Sequence, residues 1–465
     1  MDKILLEKLK QYKQNKIINY IRNLEEGVLP DSNIKILKLE NQLKNIDFDF
    51  FFNKIVPFKD KKREELKIEP HPVLKMEDID NEKREYYKEI GEKVLKNGEV
   101  AFLVVAGGQG SRLGFEHPKG MFPIAPITNK SLFQIHCEKV LSFSKYYNFS
   151  PIFLIMTSET NHDETVDFFE KNKYFNLPSK SLIFFKQGML PAIDFECELI
   201  LESDDSLFFA PDGHGGTLFA LKKNNILKFL KEKNINIISY FQVDNPLVNI
   251  ADPIFLGAHI DGNYEVSSKV LKKRDWQEKV GVPAYLNGKP SIVEYSDLPD
   301  DLAKLKDEKG NLIYGFGSIA IHLFNVDFIE KITSNDLFLP YHIAKKKIPF
   351  FDTENYKKVN PDNNNGIKFE QFIFDSIPMA KNALFFETDR DLEFKPLKNK
   401  EGEDSIETCK KGISDFYKIW FKKADYEIND NQLVEVSPLF ACIEEEFRSK
   451  VWKFVKNIPN KIYIE

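Results

Sequence analysis

The chain has 465 residues, which is too long for a single small domain. Of these residues 42% are hydrophobic and 30% are charged, which is the composition of a globular protein. Its formal charge of −6 argues against a nucleic-acid-binding protein, because phosphate backbones select for basic surfaces. A charged N-terminus and the lack of a membrane-length apolar run predict a cytoplasmic protein that has no membrane partner.

The first hundred or so residues alternate helical patterns with polar connections. Apolar residues recur at helical spacing over residues 1–45, with Lys and Glu between them. The aromatic run Asp47–Phe58 is predicted to dock this arm on the main body, and Asn81–Lys96 is predicted to be a further helix. We therefore expect an N-terminal helical arm over residues 1–95.

An apolar strand and a glycine-rich loop come next, reading VAFLVVAGGQGSRLGFEHPKGMFPI over Val100–Ile124. Gly107 and Gly108 let the backbone approach a ligand, and successive amides in such a turn can bind an anion. Arg112 and Lys119 add positive charge nearby. The spacing fits neither the Walker motif nor the dinucleotide motif. Solvated basic residues on a tight turn are the alternative, and we favour a nucleotide-phosphate loop.

Strands and helices alternate beyond this loop. Strands are predicted at Pro151–Thr157, Ser181–Phe185 and Asn236–Val243, and helices at residues 131–147, 161–172 and 216–233. This order predicts an α/β fold with a doubly wound, mostly parallel central sheet. Ligands bind such sheets at the carboxyl ends of the strands. The glycine loop, Gln187 and Asp244 all follow predicted strands, so we expect them to share one crevice.

Asp244 is the candidate metal ligand. A carboxylate directly after a strand can hold Mg²⁺ against triphosphate oxygens, since Mg²⁺ takes one or two carboxylates plus phosphates. The alternative is that Asp244-Asn245-Pro246 is simply a turn. The residues alone leave these two readings even.

The C-terminal third is predicted to hold a helix over residues 367–382 and a strand at Ala383–Glu387. A charged, glycine-containing stretch at Lys398–Asp404 is a candidate boundary. Two further helical segments are predicted at Ser405–Lys422 and Leu439–Lys456. We expect a catalytic domain over residues 96–390 and a small C-terminal domain over 391–465.

The loop GGQGSRLG at residues 107–114, together with PKG at 118–120, resembles the signature of the eukaryotic-type UDP-sugar pyrophosphorylases. The likeness extends from Val100 to Lys398 and is nearest to the N-acetylhexosamine branch. It implies a Rossmann-like nucleotidyltransferase fold, Mg²⁺ as cofactor, and the reaction UTP + sugar 1-phosphate ⇌ UDP-sugar + pyrophosphate.

The resemblance also implies individual roles. It assigns Arg112 and Lys119 to the pyrophosphate side, Lys398 to the sugar phosphate or α-phosphate, and Asp244 to the metal. It places UTP on Gly107, Gly108, Gln187 and Gly213, and the sugar on His214, Gly281, Glu294, Ser318, Phe372, Phe374 and Lys368. The amide of Gln187 offers the donor and the acceptor that the uracil edge requires. Phe372 and Phe374 fall within a predicted helix, where an ordinary core position is an even alternative.

Two of these positions depart from the N-acetylhexosamine branch, which has Asn in place of both His214 and Ser318. Ser318 lies in Gly315–Ala320, which we expect to follow a strand. Glucose-using relatives have His at the first position, and a purely structural histidine is a further alternative there. The motifs QGMLPA and VEYS, with Phe372 and Phe374, favour a UDP-N-acetylglucosamine pyrophosphorylase, whereas His214 and Ser318 are the case for a UDP-glucose or broad UDP-sugar pyrophosphorylase. A non-catalytic nucleotide-sugar-binding regulator is the third hypothesis, and the sequence does not indicate the oligomeric state.

Overall fold

The computed structural model describes residues 2–60, 67–334, 338–452 and 460–465. These residues form two compact units, each assembled from separate segments of the chain. The smaller unit comprises residues 2–60, 187–217 and 338–375, and the larger unit comprises residues 67–186, 218–334, 376–452 and 460–465. Among the described residues, no helix is both long enough and apolar enough to cross a bilayer. The division into 1–95, 96–390 and 391–465 stays a prediction.

The larger unit is built on a seven-stranded sheet, whose strands we label β1 to β7 in chain order. They are β1 Val100–Val105, β2 Phe153–Thr157, β3 Leu182–Lys186, β4 Ile237–Gln242, β5 Val266–Lys272, β6 Phe316–Asn325 and β7 Ala383–Glu387. Their order in the sheet is β7-β5-β6-β4-β1-β2-β3. Strands β4, β1, β2 and β3 run parallel, as do β5 and β7, whereas β6 is antiparallel to both of its neighbours.

The central strands are apolar because both faces of the sheet are covered. β1 reads VAFLVV and is buried over its first five residues, and every residue of β2 is buried. A continuous apolar run is typical of parallel strands that are buried on both faces. The predicted α/β class with a mostly parallel central sheet is confirmed.

Local sequence signals fix the ends of the main helices around this sheet. Asp80 and Ser131 accept backbone N–H bonds at the first turns of Asn81–Lys96 and Leu132–Tyr147, and Ser405 does so before Ile406–Lys423. The other helices of the larger unit are His162–Lys171, Ile226–Glu232, Pro253–Asp261, Asp300–Ala303, Val326–Ile332, Arg390–Glu393 and Glu444–Val451. Ile68–Pro70, Val282–Leu286 and Lys289–Val293 form an antiparallel sheet, and Leu433–Val436 pairs with Lys461–Ile464.

The smaller unit combines an N-terminal helical layer with short strands. Its helices are Lys3–Gln11, Asn15–Glu25 and Ser32–Lys44, followed by the short turns Phe48–Phe50, Phe51–Ile55 and Val56–Asp60. The strand Gly366–Glu370 pairs with both His342–Lys346 and Ile193–Asp194. The remaining strand pairs are Met189–Pro191 with Phe209–Pro211, Leu201–Ser203 with Ser206–Leu207, and Phe350–Asp352 with Lys357–Val359. The ring of Phe51 meets that of Phe369 edge-on at 5.6 Å, so the aromatic run packs within this unit.

The helix predicted over residues 367–382 is wrong. Gly366–Glu370 is a strand, in which Ile367 and Phe369 are buried while Lys368 and Glu370 are half-buried. This alternation has a period of two, which suits a strand with one covered face. A 3₁₀ helix follows at Ile373–Met379, where Pro378 cannot supply the backbone N–H that a continuing α-helix needs.

Three other predictions differ from the structure by more than a shift of one or two residues at the end of an element. The helix predicted over residues 216–233 is two helices, Gly216–Lys223 and Ile226–Glu232, because Asn225 adopts a left-handed φ of 57° between them. The last predicted helix begins at Glu444 rather than at Leu439, and its predicted end at residues 453–456 lies outside the described residues. Gly315–Ala320 does not follow a strand, since Phe316 is the first residue of β6.

Candidate active site

The glycine-rich loop after β1 folds back on itself. The N–H of Gly110 donates to the carbonyl of His117 at 2.9 Å, and the N–H of Lys119 donates to the carbonyl of Gly108 at 3.1 Å. Between these bonds, Ser111–Leu113 forms a 3₁₀ turn that closes at Gly114 with φ 70°. The loop is therefore a closed turn that brings Lys119 beside Gly108, although ten residues separate the two in sequence.

The loop leaves open space on one side and is tightly packed on the other. A Cβ on Gly108 would meet nothing within 4 Å, whereas a Cβ on Gly120 would lie 2.3 Å from the ring of Phe133. Gly107 is half-buried at the start of the loop, and Arg112 is exposed on the 3₁₀ turn. The open side of Gly108 offers room for a ligand to reach the backbone.

Asp244 lies at the same edge of the sheet. The N–H of Val243 donates to the carbonyl of Val105 at 3.1 Å, which continues the parallel β1–β4 pairing by one residue. Asp244 follows directly, and its Oδ2 lies 3.3 Å from the Nζ of Lys119. Their side chains are only 15% and 12% exposed, so this is a sheltered ion pair. Lys119 thus contacts both Gly108 and Asp244, and the three residues lie together at the carboxyl edge of the sheet, whereas a crevice that also includes Gln187 stays a prediction.

Lys398 is connected to Asp244 through the backbone. The N–H of Leu397 donates to the carbonyl of Asp244 at 2.8 Å, which holds the segment before Lys398 against the end of β4. The ammonium of Lys398 pairs with Asp404 at 3.1 Å and lies 5.6 Å from the ring centroid of Phe394. The segment is thus fixed beside the metal candidate, while the lysine side chain, 40% exposed, has room to move.

Three of the predicted sugar residues meet in the larger unit. The N–H of Ser318 donates to the carbonyl of Gly281 at 2.7 Å. A Cβ on Gly281 would lie 2.5 Å from a methyl group of Ile292 and 3.9 Å from the Oε1 of Glu294. Gly281, Glu294 and Ser318 therefore form one cluster, which has a carboxylate able to accept hydrogen bonds from hydroxyl groups.

The smaller unit brings together Gly213, His214, Phe372 and Phe374. The loop Asp212–Gly216 lies against Gln371, because the Gln371 N–H donates to Asp212 at 2.7 Å and the Gly215 N–H donates to Gln371 at 2.8 Å. Only glycine fits at 213, where φ is 85° and a Cβ would lie 2.4 Å from the Gln371 carbonyl oxygen.

His214 lies at the centre of an aromatic cluster. Its ring stacks on Phe372 with a centroid distance of 5.4 Å and an interplanar angle of 16°, and lies 6.0 Å from Phe374. Its Nδ1 is 3.1 Å from the N–H of Ile373 and accepts from it. Burial lowers the pKa of His214 to about 4, so the ring is neutral at pH 7. Because Nδ1 accepts, the proton of the neutral ring is on Nε2.

Two predicted residues of the smaller unit lie beside this cluster rather than in it. Gln187 directly precedes Gly188, whose carbonyl accepts from the N–H of Asp212 at 3.0 Å. Lys368 points to Phe208, with its ammonium 4.7 Å from the ring centroid, and burial lowers its pKa.

The sequence did not reveal His342 and Asp375. The Nε2 of His342 lies 2.7 Å from Asp375 Oδ2, and its ring stacks on Phe372 with centroids 4.1 Å apart. No local motif marks either residue, because they are 33 positions apart and meet only through the strand pairing of the smaller unit.

An open glycine turn beside a sheltered Lys–Asp pair, at the carboxyl edge of a mostly parallel sheet, is an arrangement that suits a nucleotidyltransferase. A family profile described as UTP–glucose-1-phosphate uridylyltransferase matches residues 48–463. The chain belongs to this family, and the resemblance drawn from the glycine-rich loop is confirmed.

Individual relatives agree with the family match. The UDP-N-acetylglucosamine pyrophosphorylase of Saccharomyces cerevisiae is 37% identical over 402 residues, which are 83% of this chain and 84% of that protein. The UDP-N-acetylglucosamine diphosphorylase 2 of Arabidopsis thaliana is 37% identical over 355 residues, covering 72% of this chain and 69% of the relative. The crystal structure of the UDP-N-acetylglucosamine pyrophosphorylase of Trypanosoma brucei, in complex with inhibitor, aligns with a TM-score of 0.83 and 26% identity, covering 99% and 98% of the two chains.

Proposed function

We propose that this chain makes UDP-N-acetylglucosamine and pyrophosphate from UTP and N-acetylglucosamine 1-phosphate. The single observation that best supports uridylyl transfer is the sheltered Lys119–Asp244 pair beside the open glycine turn at Gly108. An anion-binding backbone, a cation and a hard carboxylate together suit a triphosphate. The names of the relatives favour N-acetylglucosamine 1-phosphate as the second substrate.

The chemistry of the step needs positioning rather than proton transfer. A phosphate oxygen of the sugar phosphate attacks the α-phosphorus of UTP in line, and pyrophosphate leaves. The attacking oxygen is already an anion, so no general base is required. The protein has to align two negatively charged reactants and neutralise the charge that develops. We assign Lys119 and Arg112 to the departing pyrophosphate and Lys398 to the α-phosphate or the sugar phosphate.

Asp244 fits a magnesium ligand. Its carboxylate is a hard oxygen donor at the sheet edge, directly beside the glycine turn that would hold the phosphates. When bound, Mg²⁺ would neutralise phosphate charge there. Among the described residues no group of three or more His, Cys, Asp or Glu side chains could hold a metal ion.

The aromatic cluster of the smaller unit supports an N-acetyl sugar. An acetamido group has an apolar methyl group and a carbonyl acceptor. The rings of Phe372 and Phe374 offer an apolar surface, and the Nε2–H of His214 is a donor that suits a carbonyl. We propose that Glu294 accepts hydrogen bonds from sugar hydroxyls near Ser318 and Gly281.

UDP-glucose formation, or a broader UDP-sugar range, is the second candidate. It is favoured by His214 and Ser318, the two positions that depart from the N-acetylhexosamine branch. A serine is shorter than the asparagine of that branch, and this leaves more room at the sugar cluster around Gly281.

A panel of sugar 1-phosphates with UTP and Mg²⁺ tests both candidates. Pyrophosphate release is measured with the N-acetylglucosamine, N-acetylgalactosamine, glucose and galactose 1-phosphates. We expect the highest kcat/KM with N-acetylglucosamine 1-phosphate. A higher value with glucose 1-phosphate would transfer the assignment to the second candidate, and no release with any sugar would refute uridylyl transfer.

A variant connects this preference to the aromatic cluster. Phe372→Leu should lower kcat/KM for N-acetylglucosamine 1-phosphate about fivefold, since an aromatic contact contributes about 1 kcal/mol beyond its area. Its effect on glucose 1-phosphate should be smaller. Phe351→Leu is the matched control, because Phe351 is half-buried in the same unit and packs on Tyr20 instead.

A further inference from the structure

Asn245 lies directly after the proposed metal ligand, and both ends of its side-chain amide are bonded to one remote segment. Its Nδ2 donates to the carbonyl of Glu393 at 2.7 Å. Its Oδ1 accepts from the N–H of Lys395 at 3.2 Å. Asn245 is only 4% exposed, so neither bond competes with bulk water. One amide therefore fixes the end of β4 to the chain that leads to Lys398.

The remote segment is in turn anchored by a buried ion network. Lys269 on β5 is fully buried, and its ammonium contacts Asp252 at 2.6 Å and Glu393 at 2.5 Å. The second oxygen of Glu393 accepts from the hydroxyl of Thr388 at 2.8 Å. The Oδ1 of Asp252 caps the helix Pro253–Asp261 at 3.0 Å from the N–H of Ile254. None of the groups in this network is among the residues assigned to the phosphates or to the metal.

The network and the amide are joined at Glu393. The side chain of Glu393 binds Lys269, while its backbone carbonyl binds Asn245. Two residues beyond Lys395, the N–H of Leu397 bonds to the carbonyl of Asp244. A continuous path of hydrogen bonds thus runs from Lys269, inside the sheet, to Asn245 beside Asp244 and to the segment that leads to Lys398.

We propose that Asn245, held in place through Glu393 and Lys269, is a positioning residue that fixes Asp244 and Lys398 relative to each other. The inference rests on the proposed function, because it gives Asn245 a task only if those two side chains handle phosphate. An amide is suited to this task, since it supplies one donor to the carbonyl of Glu393, the last residue of the helix Arg390–Glu393, and one acceptor to the N–H of Lys395 beyond that helix. Outer groups that orient ligating side chains typically change activity or metal affinity about 10- to 100-fold when removed.

The test compares Asn245→Ala and Asn245→Asp with the wild-type chain. Asn245→Ala removes both bonds, whereas Asn245→Asp keeps the acceptor for Lys395 and loses the donor to Glu393. We expect Asn245→Ala to lower kcat about 10- to 100-fold and to raise the Mg²⁺ concentration needed for half-maximal rate. Asn245→Asp should lower kcat at least as much, because its second carboxylate oxygen would face the Glu393 carbonyl oxygen with no hydrogen between them.

A double-mutant cycle separates positioning from general destabilisation. If Asn245 acts through Lys398, the losses from Asn245→Ala and Lys398→Ala should be strongly non-additive in kcat. Losses that simply multiply would overturn the proposal. Asn172→Ala is the control, since Asn172 also donates from its Nδ2 to a backbone carbonyl, that of Phe168 at 2.8 Å, and it is exposed. It should leave kcat unchanged.

A binding measurement supplies a readout apart from turnover. The wild-type melting temperature should rise on adding UTP and Mg²⁺ together, and the rise should be smaller for Asn245→Ala. An equal rise in both proteins would contradict the inference. The levels of failure differ: if the wild-type chain releases no pyrophosphate with any sugar 1-phosphate, the proposed function is wrong, and if Asp244→Asn and Lys398→Ala leave activity intact, only the phosphate roles assigned to these two residues are wrong. If those variants are inactive while Asn245→Ala is normal, only the positioning role is wrong.

Discussion

Replacing Lys119 by methionine removes the cation from the proposed phosphate site while keeping most of the aliphatic stem. The Nζ of Lys119 lies 3.3 Å from Asp244, and its side chain is 12% exposed. At an effective dielectric constant of about 20, two unit charges about 4 Å apart interact by about 4 kcal/mol. Removing one group that stabilises developing negative charge costs about 3–4 kcal/mol in measured cases. We therefore expect kcat to fall about 10²- to 10³-fold.

The fold should survive this change. The pair is sheltered rather than fully buried, so losing it should cost about 1–2 kcal/mol, between exposed and buried ion pairs. Calorimetric melting should show a single-digit decrease in Tm and an unchanged far-ultraviolet circular dichroism spectrum. Lys119→Arg should retain part of the activity, because it keeps the charge but not the shape of the ammonium.

Pyrophosphate release at saturating UTP and sugar 1-phosphate is the assay. Lys180→Met is the matched control, since Lys180 precedes β3 and therefore lies at the amino edge of the sheet, opposite the crevice. It should show wild-type kcat. If Lys119→Met keeps more than about a third of wild-type kcat while folded, Lys119 is not stabilising the departing pyrophosphate, since a threefold loss corresponds to only about 0.65 kcal/mol of barrier, far below the expected value of about 3–4 kcal/mol.

Two further predictions concern stability. Gly91→Ala should lower Tm, because its Cβ would lie 1.9 Å from the Pro253 carbonyl oxygen and overpacking costs about 1–3 kcal/mol. Gly108→Ala should keep Tm, since its Cβ meets only open space. It should lower the affinity for UTP, because the methyl group would occupy the side from which the phosphates are proposed to reach the backbone. Burial lowers the pKa of His136 to about 3 and those of His214 and His259 to about 4. The unfolded chain therefore binds more protons below about pH 6.5, and stability should fall by about 3 kcal/mol per histidine between pH 6.5 and 4. Calorimetry across this range should show a shallower decline for His259→Gln, and an identical slope would contradict this reasoning.

Local signals explain which elements could be predicted from the sequence. The helix Asn81–Lys96 agrees in both bounds with its prediction, and Ser131 caps its helix as predicted, because caps and apolar periodicity act within a few residues. The strand Gly366–Glu370 was missed because the strands that pair with it, His342–Lys346 and Ile193–Asp194, are remote in sequence. Its pairing, rather than its own propensity, decides its conformation.

The residues of the candidate site also differ in whether a local sequence signal could reveal them. A general rule about strand ends was enough to bring the glycine loop and Asp244 together, and the Lys119–Asp244 contact agrees with it. The amide of Asn245 gave no such signal, because its two bonds reach residues almost 150 positions away. Asn followed by Pro246 is also what an ordinary turn would show, so its role can be inferred only from three-dimensional contacts.

The charge arrangement explains how a chain of net charge −6 can handle two polyanions. Lys119 is paired with Asp244, and Lys398 is paired with Asp404. Each lysine thus already has an anionic partner, and binding phosphate exchanges one anion for another instead of neutralising an isolated buried cation. This exchange limits the desolvation cost of assembling the site, because sheltered charges are expensive only when they are unpaired. When the ammonium of Lys119 moves from Asp244 to a phosphate, the carboxylate of Asp244 needs another cation as its partner. If Mg²⁺ binds that carboxylate as proposed, it would free Lys119 for phosphate in the same step, and the Mg²⁺ dependence and the Lys119 effect should then change together.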